Sequence, residues 1–561
     1  MMWTSTVRAS DSLSMSQNSS IRFARVKVLF GNDSSLNSIW NSFFGIWTSV
    51  PFCISVKESY ISVVEPTVIF CSSDILARRS SARIRSIIST SSTGFTMKSS
   101  VPIVNAFRTS SALSRAVIIS TGMEVELQEA GTLPVGFNRG PWFGKLLGEN
   151  GMELHFVTPS YTAGTKGVQR GHVLQEPLTQ SEFDRMKGQL KGAWVLINGK
   201  NVGWPVDRSA KGDSIRAAII SENNETAKKN RQIMEDNWRN NTNTPLLPLK
   251  EDVPALFYKQ MCEAGVLGFI QSATVPLRAL YDKAIIHDPT FTFDNLPEVC
   301  DIKLDEHQYA AIKQMVKERR TFFLEFDIRN HFRMGPVKYY NVIGKIKGCK
   351  YPDEYVMASG HLDAFDVATG GVDCGSGVTP VMEAARMIMK SGAKPKRTML
   401  FCAFAGEEFG LLGSTAWVKA NKDKLDKISN LFNRDGGPTP PVGLNVPKAM
   451  YQDFVKICAP VKKIHPDYPF EVKEAGPFTK PAKPAGTDAS VFAVEAVPAI
   501  AFNEKDIKGY NFNYGEIWHT ERDTYSKSIP EYQEHAATVM AIVTLGVANL
   551  EHLLSREGLY K

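Results

Sequence analysis

No two cysteines in this chain stand as Cys-x-x-Cys, and the eight present in 561 residues follow no regular spacing. That excludes a disulfide scaffold and a cysteine-built zinc site. Cys402, inside an apolar run, is expected as a buried thiol. Also missing is any unbroken apolar run of the roughly 18–20 residues that a membrane-spanning helix needs. The apolar patch at 39–56 is interrupted by Asn41, Ser42 and Pro51. Acid is scarce in one place only. Residues 1–122 hold 29 serines and five Asp or Glu against twelve Lys or Arg, a balance of +7, which is the net charge of the whole chain. The remainder is neutral. A basic, Ser-rich, acid-poor stretch reads as a transit peptide, a disordered tail or a nucleic-acid-binding arm. It carries no motif, however, and it contains apolar runs such as 55–70. The reading adopted is that the start site or reading frame is misassigned near Met123 and that 1–122 is not a true domain. No nucleic-acid partner is expected. The rest of the chain is long enough for two or three domains with real cores, given 43% hydrophobic residues overall.

What is present is a series of polar residues, each at the end of a predicted strand. Residues 355–359 (YVMAS) form a short apolar run that stops at Gly360, just before His361. A second run, 398–404 (TMLFCAF), stops before Gly406-Glu407-Glu408, and a third, 427–432 (KISNLF), before Asp435. Between the first two, apolar residues at 378, 381, 382, 385, 388 and 389 follow helical spacing, with Gly392 as the stop. Strand, helix, strand predicts an α/β fold with a central mixed, mostly parallel sheet flanked by helices. Ligands of such sheets gather beyond the carboxyl ends of the strands. His361, Asp373, one of Glu407 and Glu408, Asp435 and His519 together offer two imidazoles and three carboxylates, a donor set suited to a pair of zinc ions sharing one carboxylate. Two such ions clamp a water, lower its pKa and polarise a carbonyl. A spare carboxylate then moves the proton. Glu407 and Glu408 are adjacent, so one can bind metal while the other faces substrate. Asp363, two residues after His361, is expected to hydrogen-bond the ring nitrogen that binds no metal.

These stretches resemble the family of cocatalytic zinc aminopeptidases and glutamate carboxypeptidases. The resemblance rests on GHLDAFDVATGGVDCGSG (360–377), KPKRTMLFCAFAGEEFGLLGS (394–414), NRDGG (433–437), GTDASVF (486–492) and WHTERDT (518–524). It implies a zinc exopeptidase fold with two Zn2+ per chain. His361 and Asp435 would hold one ion and Glu408 and His519 the other, with Asp373 bridging and Glu407 as general base. Thr487 and Asp488 match a family loop near the substrate, although a turn-capping role fits them equally. The residue after the bridging aspartate is usually Asp or Asn; here it is Cys374, and the resemblance implies a cis peptide bond before it. A helical start to the peptidase domain is implied after Met123.

Residues 160–297, with predicted strands at 191–197 and 265–270 and a helix at 253–264, resemble the protease-associated insert of this family. That insert divides the peptidase domain into 123–159 and 298–561. A helical stretch at 304–320 and a strand at 338–346 lead back into it, and a core-facing helix is predicted for 531–553. The other histidines (His155, His172, His287, His307, His331, His465, His535 and His552) read as ordinary surface or core residues. The expected activity is hydrolysis of dipeptides or short peptides, as an aminopeptidase or a carboxypeptidase-like dipeptidase. Location is expected to be secreted or periplasmic, and a homodimer is the family expectation. Two competing readings are a non-catalytic receptor on the same fold, which would have lost ligands, and a single-zinc glutaminyl cyclase.

Overall fold

The computed structural model describes residues 122–148, 151–288 and 290–561, together with four short strands nearer the N-terminus. Met1–Ser99 form one compact unit, in which Ser55–Lys57 pairs with Tyr60–Ser62 and Ile87–Ser91 with Gly94–Lys98, both antiparallel. The reading of 1–122 as no true domain otherwise lies outside the described residues.

Ser100–Lys561 form the second unit. It opens with strand β1 (Glu124–Leu147) where the resemblance implies a helix. Gly131, Pro134, Gly136, Gly140, Pro141 and Gly144 are the reason: in a helix interior glycine costs about 1 kcal/mol and proline about 3. A strand needs only alternation, and Leu133, Val135 and Phe137 supply it by turning inward. After β2 (Met152–Glu153) come β3 (Phe156–Val157), β4 (Gln169–Gly171), β5 (Val173–Gln175) and β6 (Trp194–Asn201). A 31-residue helix, α1 (Ala210–Asn240), follows. The helix expected at 253–264 is shorter, α2 (Tyr258–Glu263), because Pro254 and left-handed Ala255 (φ 55) precede it. Next are β7 (Gly268–Ala273), β8 (Cys300–Asp305) and α3 (Glu306–Lys317). Strands β3-β8-β7-β6-β5 make a five-stranded sheet of their own, parallel except at β3.

The strand expected at 338–346 is the last third of β9 (Phe323–Ile346), which pairs antiparallel with β1 over nearly its whole length. Then come β10 (Tyr351–His361), α4 (Gly375–Lys390), β11 (Arg397–Phe404) and β12 (Ile428–Asn433). The seven-stranded sheet runs β12-β10-β11-β9-β1-β2, with β4 also on β9. It is mixed: β10 lies parallel to both β11 and β12, while β9 is antiparallel to β11 and to β1. Helix α5 (Pro530–Ala548) stops at Asn549, short of the expected 553, and packs with α4 on one face of the sheet. Their contact, with Val381, Ala385, Val539 and Val543 fully buried, forms the main core.

Candidate metal centre

Three parallel strands deliver most of the site. His361 is the last residue of β10. Glu407 and Glu408 follow β11 across Gly406, whose φ of 71 turns the chain sharply. Asp435 comes just after β12. The strand ends are adjacent in the sheet, so the polar residues beyond them converge. Asp373 precedes α4, and its peptide bond to Cys374 is cis. His519 comes from a loop and has a φ of 58, a conformation that a residue with a side chain keeps only when its surroundings hold it. Phe365 and Trp518 hold it here, their ring centroids 3.8 and 3.9 Å from the imidazole.

His361 Nε2 stands 3.1 Å from Asp373 Oδ1 and 3.1 Å from Asp435 Oδ1. His519 Nε2 stands 2.9 Å from Glu408 Oε2 and 3.7 Å from Asp373 Oδ2. His361, Asp373 and Glu408 form one metal-sized group, and His361, Cys374 and Asp435 another. Burial, reinforced by Asp488, Asp435 and Asp363, pushes the Glu407 carboxyl up to about 9. Burial, together with Asp373, also holds Glu408 well above its usual range. Burial lowers His519 to about 2. Glu408 Oε1 is buried without a hydrogen bond among the described residues. Crowded buried carboxyl groups, the neutral imidazole of His519 and an orphaned carboxylate oxygen are what a divalent cation relieves, so the residues present fit zinc.

The carboxylate of Asp363 does not serve the imidazole as expected. Its backbone carbonyl accepts from His361 Nδ1 at 2.9 Å, leaving Nε2 for a metal. Its carboxylate accepts instead from the Glu407 N–H (3.1 Å) and the Glu408 N–H (3.0 Å). The two-residue step along an extended strand keeps the side chain on the ring's face, with Oδ1 3.7 Å from Nδ1, but its hydrogen bonds go to the neighbouring β11 loop. Asp523 acts similarly on the other side, accepting from the Val372 N–H at 2.8 Å and the Asp373 N–H at 3.2 Å. It lies inside the WHTERDT stretch, but nothing in its spacing marks it. Tyr281 donates to the Glu408 carbonyl, and Arg434 pairs with Glu504. Thr487 accepts from Asn433 at the end of β12, 2.7 Å away. Asp488 is fully buried and is pushed up to about 7 by burial. Cys374 lies against the Arg434 carbonyl, 3.3 Å away, and burial pushes its thiol up to about 12.

Residues 341–544 match the model of Peptidase family M28. This segment is similar to the domain of that family, a class of peptidase in keeping with the fold and the site. Within that class, carboxypeptidase Q of Rattus norvegicus is 29% identical over 237 residues, 40% of this chain and 46% of that protein. Carboxypeptidase Q of Homo sapiens is 28% identical over 222 residues, 39% of this chain and 43% of that protein. The chain thus spans less than half the length of these curated relatives. A solved Peptidase M28 precursor from Shewanella amazonensis SB2B shares the fold, with a TM-score of 0.50 and 19% identity over 80% of this chain and 89% of that one.

Proposed function

We propose that the chain is a two-zinc metallo-exopeptidase that hydrolyses dipeptides or short peptides. The observation that carries this reading is the division of Asp373. One carboxylate oxygen faces His361 and the other faces His519, so a single side chain stands between two donor pairs. His361 and Asp435 would hold one ion, Glu408 and His519 the other, and Asp373 both. Bound zinc would supply Lewis-acid polarisation of the peptide carbonyl and a lowered pKa for water. Glu407 acts as general base and then as general acid, taking a proton from the attacking water and passing it to the leaving amine. Burial raises its proton affinity, which suits delivery of the proton to the leaving amine, and bound cations nearby would free the carboxylate to accept it first. Asp363 is a positioning residue, fixing the backbone on which Glu407 and Glu408 sit.

Residues 160–297 act as a protease-associated-like insert that shapes access to the site. Contacts of Tyr281 with the Glu408 carbonyl and of His287 with the Phe409 carbonyl, at 2.7 Å, support this. Thr487 and Asp488 line the substrate side. Among the described residues no helix is long and apolar enough to cross a membrane. A secreted or periplasmic location follows from the resemblance and is tested by fractionating the native source.

The experiment is metal content measured alongside hydrolysis of a dipeptide panel, comparing the parent with Glu407→Ala. Two zinc ions per chain in both proteins, with a loss of about 10²–10⁴-fold in turnover for the variant, is the expected result. A single ion per chain, or a variant as active as the parent, would sink the proposal.

A further inference from the structure

Residues 278–287 are fastened to the metal centre at several points. Arg278 pairs with Thr520, the residue after His519, in an isolated antiparallel bridge. Its guanidinium donates to the Trp518 carbonyl (3.2 Å) and the Gly515 carbonyl (3.2 Å), and it lies 5.3 Å above the Trp518 ring. Trp518 in turn stacks on His519. Further along, Tyr281 donates to the Glu408 carbonyl and His287 to the Phe409 carbonyl. These anchors therefore grip the backbone at or beside Glu408 and His519, the two ligands proposed for one ion. Between the last two anchors stands Lys283, the first residue of a short helix, Lys283–His287. It is exposed, and among the described residues it has no ion-pair partner. The acids nearest it in sequence are engaged locally. Asp282 accepts from the Ala284 N–H at 2.8 Å, and Asp288 from the Thr290 N–H and hydroxyl at 2.8 and 2.7 Å. After burial, the charge that acts most strongly on the His519 imidazole is that of Lys283, ahead of Arg278. Arg278 is bonded to the residue beside His519, so the Lys283 ammonium shares that neighbourhood.

A cation in that place works against a metal ion at His519, because like charges repel. Nothing among the described residues supplies its counter-charge, so an arriving ligand has to. The free amino terminus of a peptide is repelled there, and a neutral amide gains little. A carboxylate gains a charge-assisted hydrogen bond to a point-like ammonium on a flexible four-carbon stem. In a dipeptide the terminal carboxylate lies one residue beyond the scissile carbonyl, roughly 3.5 Å along an extended chain. A carbonyl held at the metal centre thus brings the carboxylate of the leaving residue to the side on which Lys283 stands.

We propose, on the basis of the peptidase reading above, that Lys283 is a specificity-determining residue that binds a carboxylate of the substrate. The zinc-loaded enzyme is given alanylalanine, alanylalanine amide and the α-amide of alanylglutamate, whose one carboxylate is in its side chain. The parent favours alanylalanine over its amide by about 10–100-fold in kcat/KM, the effect of one charge-assisted hydrogen bond. Lys283→Met, which keeps the aliphatic stem at an exposed position, brings that ratio close to one, and Lys283→Arg keeps it. A preference for the alanylglutamate amide in place of alanylalanine, lost in the same variant, would assign the carboxylate to the side chain. Calorimetric titration of zinc-loaded Glu407→Ala with the same peptides reads the preference without turnover. A parent that treats acids and amide alike, or Lys283→Met with the parent's ratio, would overturn the proposal and leave the peptidase reading standing. Binding that favours the acid, with hydrolysis of none of the three, would do the reverse. Neither binding nor hydrolysis of any peptide would overturn both.

Discussion

Asp363 shows how a single carboxylate can organise a centre that it does not join. Its two oxygens take the N–H groups of Glu407 and Glu408, at 3.1 and 3.0 Å, and so set the backbone of both glutamates at once. Asparagine has one acceptor oxygen and would turn an NH2 group against the second N–H. Asp363→Asn is expected to lower kcat/KM by about 10–100-fold, the usual effect of removing a supporting hydrogen bond from a metal site. Steady-state kinetics on the best dipeptide reads it, with secondary structure unchanged. Full activity in the variant would show that the paired bonds do not position Glu407.

Strands β1 and β8 tie distant parts of the chain to the metal loops. Arg139, in the middle of β1, forms a buried ion pair with Asp366 at 3.1 Å and also donates to Thr158 at 2.6 Å. Removing one partner of such a pair leaves a charge buried without compensation, so Arg139→Ala is expected to cost about 3–5 kcal/mol in urea unfolding. A loss under 1 kcal/mol would mean that water reaches Asp366. His155 bridges Asp305, at the end of β8, and Glu521, two residues past His519, at 3.2 and 2.6 Å. It is thus a clamp where the sequence suggests an ordinary histidine. The hydrogen bond to Glu521, above all, raises its pKa from 6.5 to about 9. The folded state therefore holds this proton more tightly than the unfolded chain. The stabilisation is complete below pH 6.5 and fades as pH rises through about 9. Stability should fall across that window in the parent, and His155→Ala should flatten the slope. Identical slopes would remove the clamp from the account.

For the whole molecule, the proposed ligands come from four separate segments between 361 and 519, so a bound ion would cross-link the domain that carries them. Ligand that binds only the folded state at 100 times its Kd adds about 2.7 kcal/mol of stability. A chelator should accordingly lower the thermal midpoint and abolish hydrolysis, and added zinc should restore both. Glu407→Ala, which leaves the ligands in place, should show the same chelator-dependent shift. An unchanged midpoint after verified metal removal would argue against ions that bridge these segments.

Buried parallel strands are legible because they need short, unbroken apolar runs, and 355–359, 398–404 and 427–432 fall within β10, β11 and β12 to within a residue or two. The polar residues just past them could be named for the same reason: carboxylates and imidazoles beyond apolar strands have few other uses in such numbers. Where periodicity is absent, the sequence is silent. β1 is studded with glycine and proline, and only its pairing with β9 makes it a strand. The outer half of α1 has no buried residue of its own, and the side chains of Asn230 and Asn237 tie it to the backbone of Leu247 and Thr244 on the segment that follows. Side-chain direction is likewise a tertiary matter. Arg139 and Asp366 are 227 residues apart, and the Asp363 carboxylate, although 3.7 Å from the His361 ring nitrogen, bonds the N–H groups of the next strand's loop. Residue type and order are local properties carried by the chain; which donor meets which acceptor depends on strands brought together by long-range pairing, and only the folded structure decides it.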